Sequence, residues 1–244
     1  TFTKDGISIW IDGEFYNQPW ISKQINIKST NDHELLHELY LSHDFKSSLT
    51  MIDGIFSAVI YDRPRNTLLI LCDRYGMKHV YVSSDTNSIG WTSEIKALTA
   101  IPYVSKEIDK NALEKFLHYG YFIEDDTWFG SVKLIQGASL IKFCLSTGSI
   151  ERSTYWSWDK IRPVSGRIDI REAGQEWGRL FTNAVRKRVK PGERAGLTLS
   201  GGLDSRAILA AFPDDYGQVQ TATFGKKNCI DIDIARKASV VKKA

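Results

Sequence analysis

Residues 195–209 read AGLTLSGGLDSRAIL. AGLTLS reads as an apolar strand and DSRAILAAF (204–212) as a helix, with Ser200-Gly201-Gly202-Leu203-Asp204-Ser205 at the junction. A strand that passes through a glycine turn into a helix offers an anion free backbone N–H groups and a partial positive charge, and glycine lets it approach closely. Ser200 and Ser205 add hydroxyl donors. Asp204 alone would repel a phosphate, so its presence calls for a cation, Mg²⁺. The loop has neither the lysine of a Walker A sequence nor GxGxxG spacing, which excludes a kinase-type or dinucleotide site. The competing interpretation is a tight turn with an Asp/Ser helix cap.

Outward from this loop, a helix over about 170–189 is broken by Pro191-Gly192, and a strand (QVQTATFG, 218–225) and a helix (DIDIARKASVVKKA, 231–244) follow. Strand–helix–strand–helix is the order of a parallel doubly wound sheet. The basic run Arg186-Lys187-Arg188 with Lys190 suits the solvated C-terminal end of the first helix, with phosphate binding as the alternative. Upstream, SWDKIRPVSGRID carries Pro163 and Gly166 and reads as a linker.

From residue 5 to about 150 the pattern is different. Ile7, Ile9 and Ile11 alternate with other neighbours, and GIFSAVIYD, TLLILCD, HVYVSS and ASLIKFCL follow as strands between turns. Residues 55–61 and 68–72 are apolar on both faces, which predicts a sheet covered on both sides. Helical patterns interrupt at DHELLHELYLSH, SEIKAL and DKNALEKFLHYGYF, the last with Asp109 as N-cap. The expectation is an α+β region over 1–153, a linker over 154–168 and an α/β region over 169–244.

Composition bounds the partners. The chain has 244 residues, 42% of them hydrophobic, and a formal charge of +3, too small to imply nucleic acid. No run of about 18 apolar residues spans a membrane. Cys72, Cys144 and Cys229 are odd in number and outside any CxxC pattern, against a disulfide framework or structural zinc. The N-terminal stretch lacks a signal-peptide pattern, so the expected setting is cytoplasmic.

HELLHELYLSH (33–43) also spells HExxH with a third histidine. The long form of that zinc motif needs a glycine where Tyr40 stands. A helix continuing through Tyr40 would carry His43 more than ~13 Å along the axis from His33, too far to share one metal. The expectation is therefore a helix with leucines in the core and histidines at its edge.

SGGLDS resembles the pyrophosphate loop of ATP pyrophosphatases, and the residues before it narrow the likeness. DGEFYNQ (12–18), NDHELLHELY (31–40), DGIFSAVIYD (53–62), CDRYGMKHVYV (72–82), WTSEIKAL (91–98), YGYF with DDTWFGSVKLIQG (119–137) and TYW (154–156) resemble glutamine-hydrolysing asparagine synthetases, in that family's order. The resemblance implies an N-terminal-nucleophile glutaminase, an αββα sandwich, followed by an incomplete doubly wound domain of the adenine nucleotide alpha hydrolase kind. It implies ATP-dependent adenylation of a carboxylate, aspartate in the type case, and attack by ammonia from glutamine. Ser200, Gly201, Gly202, Leu203, Asp204 and Ser205 would hold pyrophosphate, with Mg²⁺ on Asp204 and with Thr198 and Phe224 near the nucleotide. Gly13, Glu14 and Asp32 would bind glutamine. Two carboxylates suit its ammonium group.

The sequence departs from the family in three ways. No N-terminal cysteine is present to act as nucleophile with its own amine as base. Asp12 replaces the asparagine whose amide donates to the oxyanion, a contribution worth roughly 3 kcal/mol in other enzymes. The sequence stops after two strand–helix units, which reads as a piece of a longer protein. An impaired glutaminase is the expectation. The alternatives are a relative that makes another amide, of the β-lactam or peptide-cyclising kind, or a non-catalytic nucleotide-binding scaffold. Oligomeric state, a homodimer included, and the acyl substrate are left open by the sequence.

Overall fold

The computed structural model describes residues 1–85, 88–189, 192–214, 216, 219–227 and 229–242. They form two compact units, Thr1–Arg162 and Pro163–Ala244. Lys190, Pro191, Gln218 and Lys243–Ala244, part of the sequence expectations above, lie outside the described residues.

The first unit contains β1 (Phe2–Lys4), β2 (Ile7–Phe15), α1 (Gln18–Gln24), α2 (Asp32–Leu41), α3 (Phe45–Leu49), β3 (Gly54–Asp62), β4 (Thr67–Cys72), β5 (Tyr81–Ser84) and β6 (Ile89–Thr92). After these come α4 (Ile95–Leu98), α5 (Lys110–Tyr119), β7 (Lys133–Leu134), β8 (Ser139–Cys144) and β9 (Ile150–Thr154). One antiparallel sheet has the order β1-β2-β3-β4-β8-β9, the other β6-β5-β7.

Alternation along the central strands assigns the layers. Phe56, Ala58, Ile60, Leu69 and Leu71 point to one face, against Leu35, Leu36, Leu39 of α2, Leu49 of α3 and Ile21 of α1. Val59, Leu68, Ile70, Cys72, Ile141 and Phe143 point to the other, against Val82 and Ile89 of the second sheet and Val80 just before β5. That sheet's far side packs Tyr81 with Leu98 and Ile95 of α4. The result is the αββα sandwich, and all six residues of β4 are buried because layers lie on both sides of it.

Helix α2 corrects the sequence reading at two points. It ends at Leu41, with Ser42 in extended conformation, so the helix does not carry His43. His37 is not at the edge: it is fully buried, edge-on to Phe2, with Nδ1 3.3 Å from Glu38 Oε1. The 3.6-residue period sets position 37 about 100° or more around the helix from Leu35, Leu36 and Leu39, so its burial comes from other elements packed on that side, Phe2 of β1 among them. Glu34, the would-be base of HExxH, instead closes the helix start. Its carboxylate accepts from the Thr30 N–H and hydroxyl at 2.7 and 2.8 Å, while Asn31 caps the Glu34 N–H at 3.0 Å.

The same helix is pinned to the sheet through Asp62. This buried carboxylate accepts from Tyr40 Oη and Arg65 Nη1, each at 2.6 Å, and from the Arg65 N–H at 2.9 Å. Burial works to raise the Asp62 carboxyl, but the bonds from Tyr40 and Arg65 outweigh it and hold the group below its usual value of 3.8. Tyr40 is pushed up to about 12 by burial and by Asp62.

In the second unit, α6 (Ile170–Arg188) is capped by Asp169, and β10 (Gly196–Thr198), α7 (Leu203–Ala211), β11 (Gln220–Ala222) and α8 (Ile230–Lys242) follow. The strands β10 and β11 pair in parallel, as strand–helix–strand order requires. Its small core is Leu199, Leu209, Phe212, Val219 and Ala235, with Val185 and Ile208 packed against it. Arg186, Lys187 and Arg188 occupy the last turn of α6, where cations suit the dipole.

A carboxyl whose pKa is depressed in the folded state adds stability above its unfolded value and loses it as pH falls through the folded value. The first unit should therefore lose stability below about pH 4. Asp62→Asn should lower stability at pH 7 and flatten that acid limb. Urea denaturation between pH 3 and 7 checks both.

Candidate functional site

The C-terminal half of β2 is shaped by one glycine. Gly13 has φ +116° and faces Phe56 across the β2–β3 pair. A Cβ there would lie 2.0 Å from the Ile55 carbonyl oxygen and 2.8 Å from the Phe56 Cα. Only glycine lets the two strands keep this spacing. Beyond it, the Phe15 N–H donates to Asp32 Oδ2 at 2.9 Å, which ties the first residue of α2 to the strand one position after Glu14. Asn17 completes the clamp, accepting from the Asp53 N–H at 2.9 Å and donating to the Met51 carbonyl at 2.8 Å. Gly13, Glu14 and Asp32, which are 19 positions apart at the extremes, are thus drawn into one neighbourhood.

Asp12 is not a lone carboxylate. Its Oδ1 accepts from Lys78 Nζ at 2.9 Å, a pairing that sequence reasoning missed. The pair is set up by Asp73, a buried carboxylate at the end of β4. Asp73 accepts the backbone N–H groups of Phe56, Tyr75, Met77 and Lys78 at 2.9–3.3 Å and so folds the turn that carries Lys78. The signal lay in CDRYGMKH, whose aspartate sits five residues before the lysine. Asp12 also lines a cleft of about 300 Å³ between the sheets, with Trp10, Ser57, Val80 and Trp91.

Cys72 and Cys144 sit in different surroundings, the first buried and the second partly exposed. Burial pushes the Cys72 thiol up to about 12, and its Sγ contacts the Gln136 carbonyl at 2.9 Å. Cys144, the last residue of β8, is lowered to about 6 by hydrogen bonds from the Ser146 and Thr147 side chains and backbones of the following turn. All three cysteines are free thiols.

In the second unit the segment Ser200–Ser205 runs from the end of β10 through the glycine turn into the first turn of α7. Leu199 and Ala222 keep the strands together with a 2.9 Å N–H···O bond, and Thr198 is the last residue of β10. Ser205 Oγ accepts the Ser200 N–H at 3.0 Å and lies 3.1 Å from Ser200 Oγ, which accepts the Gly202 N–H at 3.1 Å. The Gly201 N–H donates to Asp231 Oδ1 of α8 at 3.1 Å, an acceptor that the sequence did not suggest. Leu203 and Asp204 open α7 with exposed side chains. Phe224 was expected at the strand end; it lies two residues past the end of β11 and is 82% exposed. Among the described residues, no group of three or more His, Cys, Asp or Glu side chains could hold a metal ion. A cation at Asp204 would therefore take most of its oxygen ligands from phosphate and water, the habit of Mg²⁺.

Residues 2–156 match the model of the glutamine amidotransferase domain. The chain belongs to that family. Residues 176–240 match the asparagine synthase model, so the loop Ser200–Ser205 falls in the synthase segment and Gly13, Glu14 and Asp32 in the amidotransferase unit. The asparagine synthetase (glutamine-hydrolysing) of Gallus gallus is 26% identical over 95% of this chain and 42% of its own length. Asparagine synthetase 3 of Bacillus subtilis is 28% identical over 86% of this chain and 34% of its own. The chain thus spans less than half the length of these curated relatives.

Two outcomes follow for the amidotransferase unit. Gly13→Ala should cost about 2–4 kcal/mol, from strain at positive φ plus the forced separation of β2 and β3, read by chemical denaturation. A loss under about 1 kcal/mol would contradict the close approach. Iodoacetamide at pH 7 should alkylate Cys144 well before Cys72 in the folded protein, because the thiolate is the reacting species. Peptide mass spectrometry distinguishes the two sites.

Proposed function

We propose that this chain belongs to an ATP-dependent amide-forming enzyme of the asparagine synthetase kind, working in the cytoplasm on ATP, glutamine and a carboxylic acid, aspartate or a relative of it. The observation that carries the reading is the loop Ser200–Ser205 at the junction of β10 and α7, following an amidotransferase unit. In this role Ser200, Gly201, Gly202, Leu203 and Ser205 cradle pyrophosphate, while Thr198 and Phe224 flank the nucleotide. Asp204 helps hold Mg²⁺, which when bound offsets the phosphate charge. The carboxylate substrate attacks the α-phosphorus of ATP to form its acyl-adenylate, with pyrophosphate leaving from ATP, and ammonia then attacks the acyl carbon and displaces AMP.

In the first unit Gly13, Glu14 and Asp32 form the proposed seat for the α-amino end of glutamine. The chemistry supports it: carboxylates suit an ammonium group, and Asp32 is oriented by the Phe15 N–H. The glutaminase is proposed to be impaired. Asp12 cannot donate to an oxyanion, and Lys78, the nearest cation bonded to it, is engaged in neutralising it. That pair also favours a second reading, a relative that keeps the adenylating half and takes its amine from another source.

The protein that carries this chain, given Mg-ATP and ³²P-pyrophosphate, is expected to exchange label into ATP only when its carboxylic substrate is present, aspartate being tried first. Ser205→Ala should reduce that exchange by about tenfold or more, for loss of a hydroxyl donor to phosphate. No exchange with any acid would overturn the adenylating role. Rapid ammonia release from glutamine would overturn the impaired glutaminase alone.

A further inference from the structure

The amide of Gly201 sits at the centre of the glycine turn, and a carboxylate already occupies it. Asp231 stands 30 residues further along the chain, in the first turn of α8, and its Oδ1 takes the Gly201 N–H at 3.1 Å. A Cβ at position 201 would fall 2.5 Å from that oxygen and 3.0 Å from the Asp231 Cα. The glycine is therefore what admits the carboxylate. The amides on either side are held from within the loop, Ser200 by Ser205 Oγ and Gly202 by Ser200 Oγ. Gly201 is thus the loop amide that bonds to an anion from outside the loop.

We propose that Asp231 is a built-in competitor of pyrophosphate for the Gly201 amide, and so sets how tightly the loop holds that ligand. The inference rests on the reading of Ser200–Ser205 as a pyrophosphate cradle. A carboxylate oxygen and a phosphate oxygen are the same kind of acceptor, charged and drawn to backbone N–H groups at a helix start. One N–H makes one well-aligned bond, so the ligand must displace Asp231 or do without the amide. A displaced Asp231 still leaves its charge beside the ligand, and like charges a few ångströms apart repel even in water. Asp233, in the same turn, is paired with Arg236 at 3.3 Å and leaves Asp231 as the carboxylate that reaches the loop. The arrangement favours release of pyrophosphate over its retention and ties occupancy of the loop to the position of the first turn of α8.

Two substitutions separate charge from contact. Asp231→Asn keeps an oxygen acceptor and removes the charge, whereas Asp231→Ala removes both. In ¹⁵N-labelled whole protein without ligand, Asp231→Ala should move the Gly201 amide proton upfield, because a charge-assisted acceptor is lost. An unchanged resonance overturns the proposal at its geometric root. With inorganic pyrophosphate and Mg²⁺, followed by the amide shifts of Ser200, Gly201 and Gly202, both variants should bind about tenfold more tightly than the parent. Pyrophosphate binding that is equal or weaker in both variants, with the parent still binding, overturns the competitor role and leaves the cradle reading intact. No pyrophosphate binding by parent or variants, despite a responsive Gly201 resonance, overturns the cradle reading and the competitor role with it. Should Asp231→Ala fail to fold, Asp231→Asn alone decides the comparison of affinities.

Discussion

Strand β4 has no solvent face, and the rest of the first unit follows from that constraint. A strand buried on both sides must have a layer on each, so Leu69 and Leu71 meet the helices while Leu68, Ile70 and Cys72 meet the second sheet. Removing either layer would leave about half of the strand's apolar side chains in water. At its C-terminal end the chain must leave this interior, and Asp73 handles the exit. A carboxylate in such a place is tolerable only when its oxygens are satisfied, and four backbone N–H groups satisfy them.

That solution has a functional consequence. The N–H groups come from β3 and from the turn 75–78, so the burial of Asp73 fixes the path of the turn and the place of Lys78. Lys78 in turn reaches Asp12, the position at which the family resemblance expects an asparagine amide. One buried charge at the end of β4 thus places a cation beside Asp12 on β2, two strands away in the sheet. Within the second unit the logic is similar: a carboxylate from α8 completes the hydrogen bonding of the loop ahead of α7. In both units the candidate site is finished by a residue from a different element than the one that names the motif.

The second unit carries its apolar residues differently. A two-stranded parallel pair buries only a small core, and Ile170, Leu203, Phe224, Ile230, Val240 and Val241 are each more than 70% exposed. Parallel strands ordinarily sit in larger sheets covered by helices on both faces, where such side chains find partners.

The sequence by itself determined the strand–turn–helix around Ser200–Ser205, the doubly apolar strands at 55–61 and 68–72, the Asp109 cap of the helix beginning near 110, and the family. Each is a local property, readable from period, capping residue or turn composition within a dozen positions. Short edge strands such as β6 and β9 were not legible, because a few residues with mixed polarity carry no clear period. Tertiary structure alone decided the burial of His37, the end of α2 at Leu41, the Lys78–Asp12 pair and the Asp231–Gly201 bond. The first depends on which helix face meets the sheet and the second on where the chain turns away from it. The last two join residues 66 and 30 positions apart, and no local pattern marks which of many charged side chains will meet across that distance.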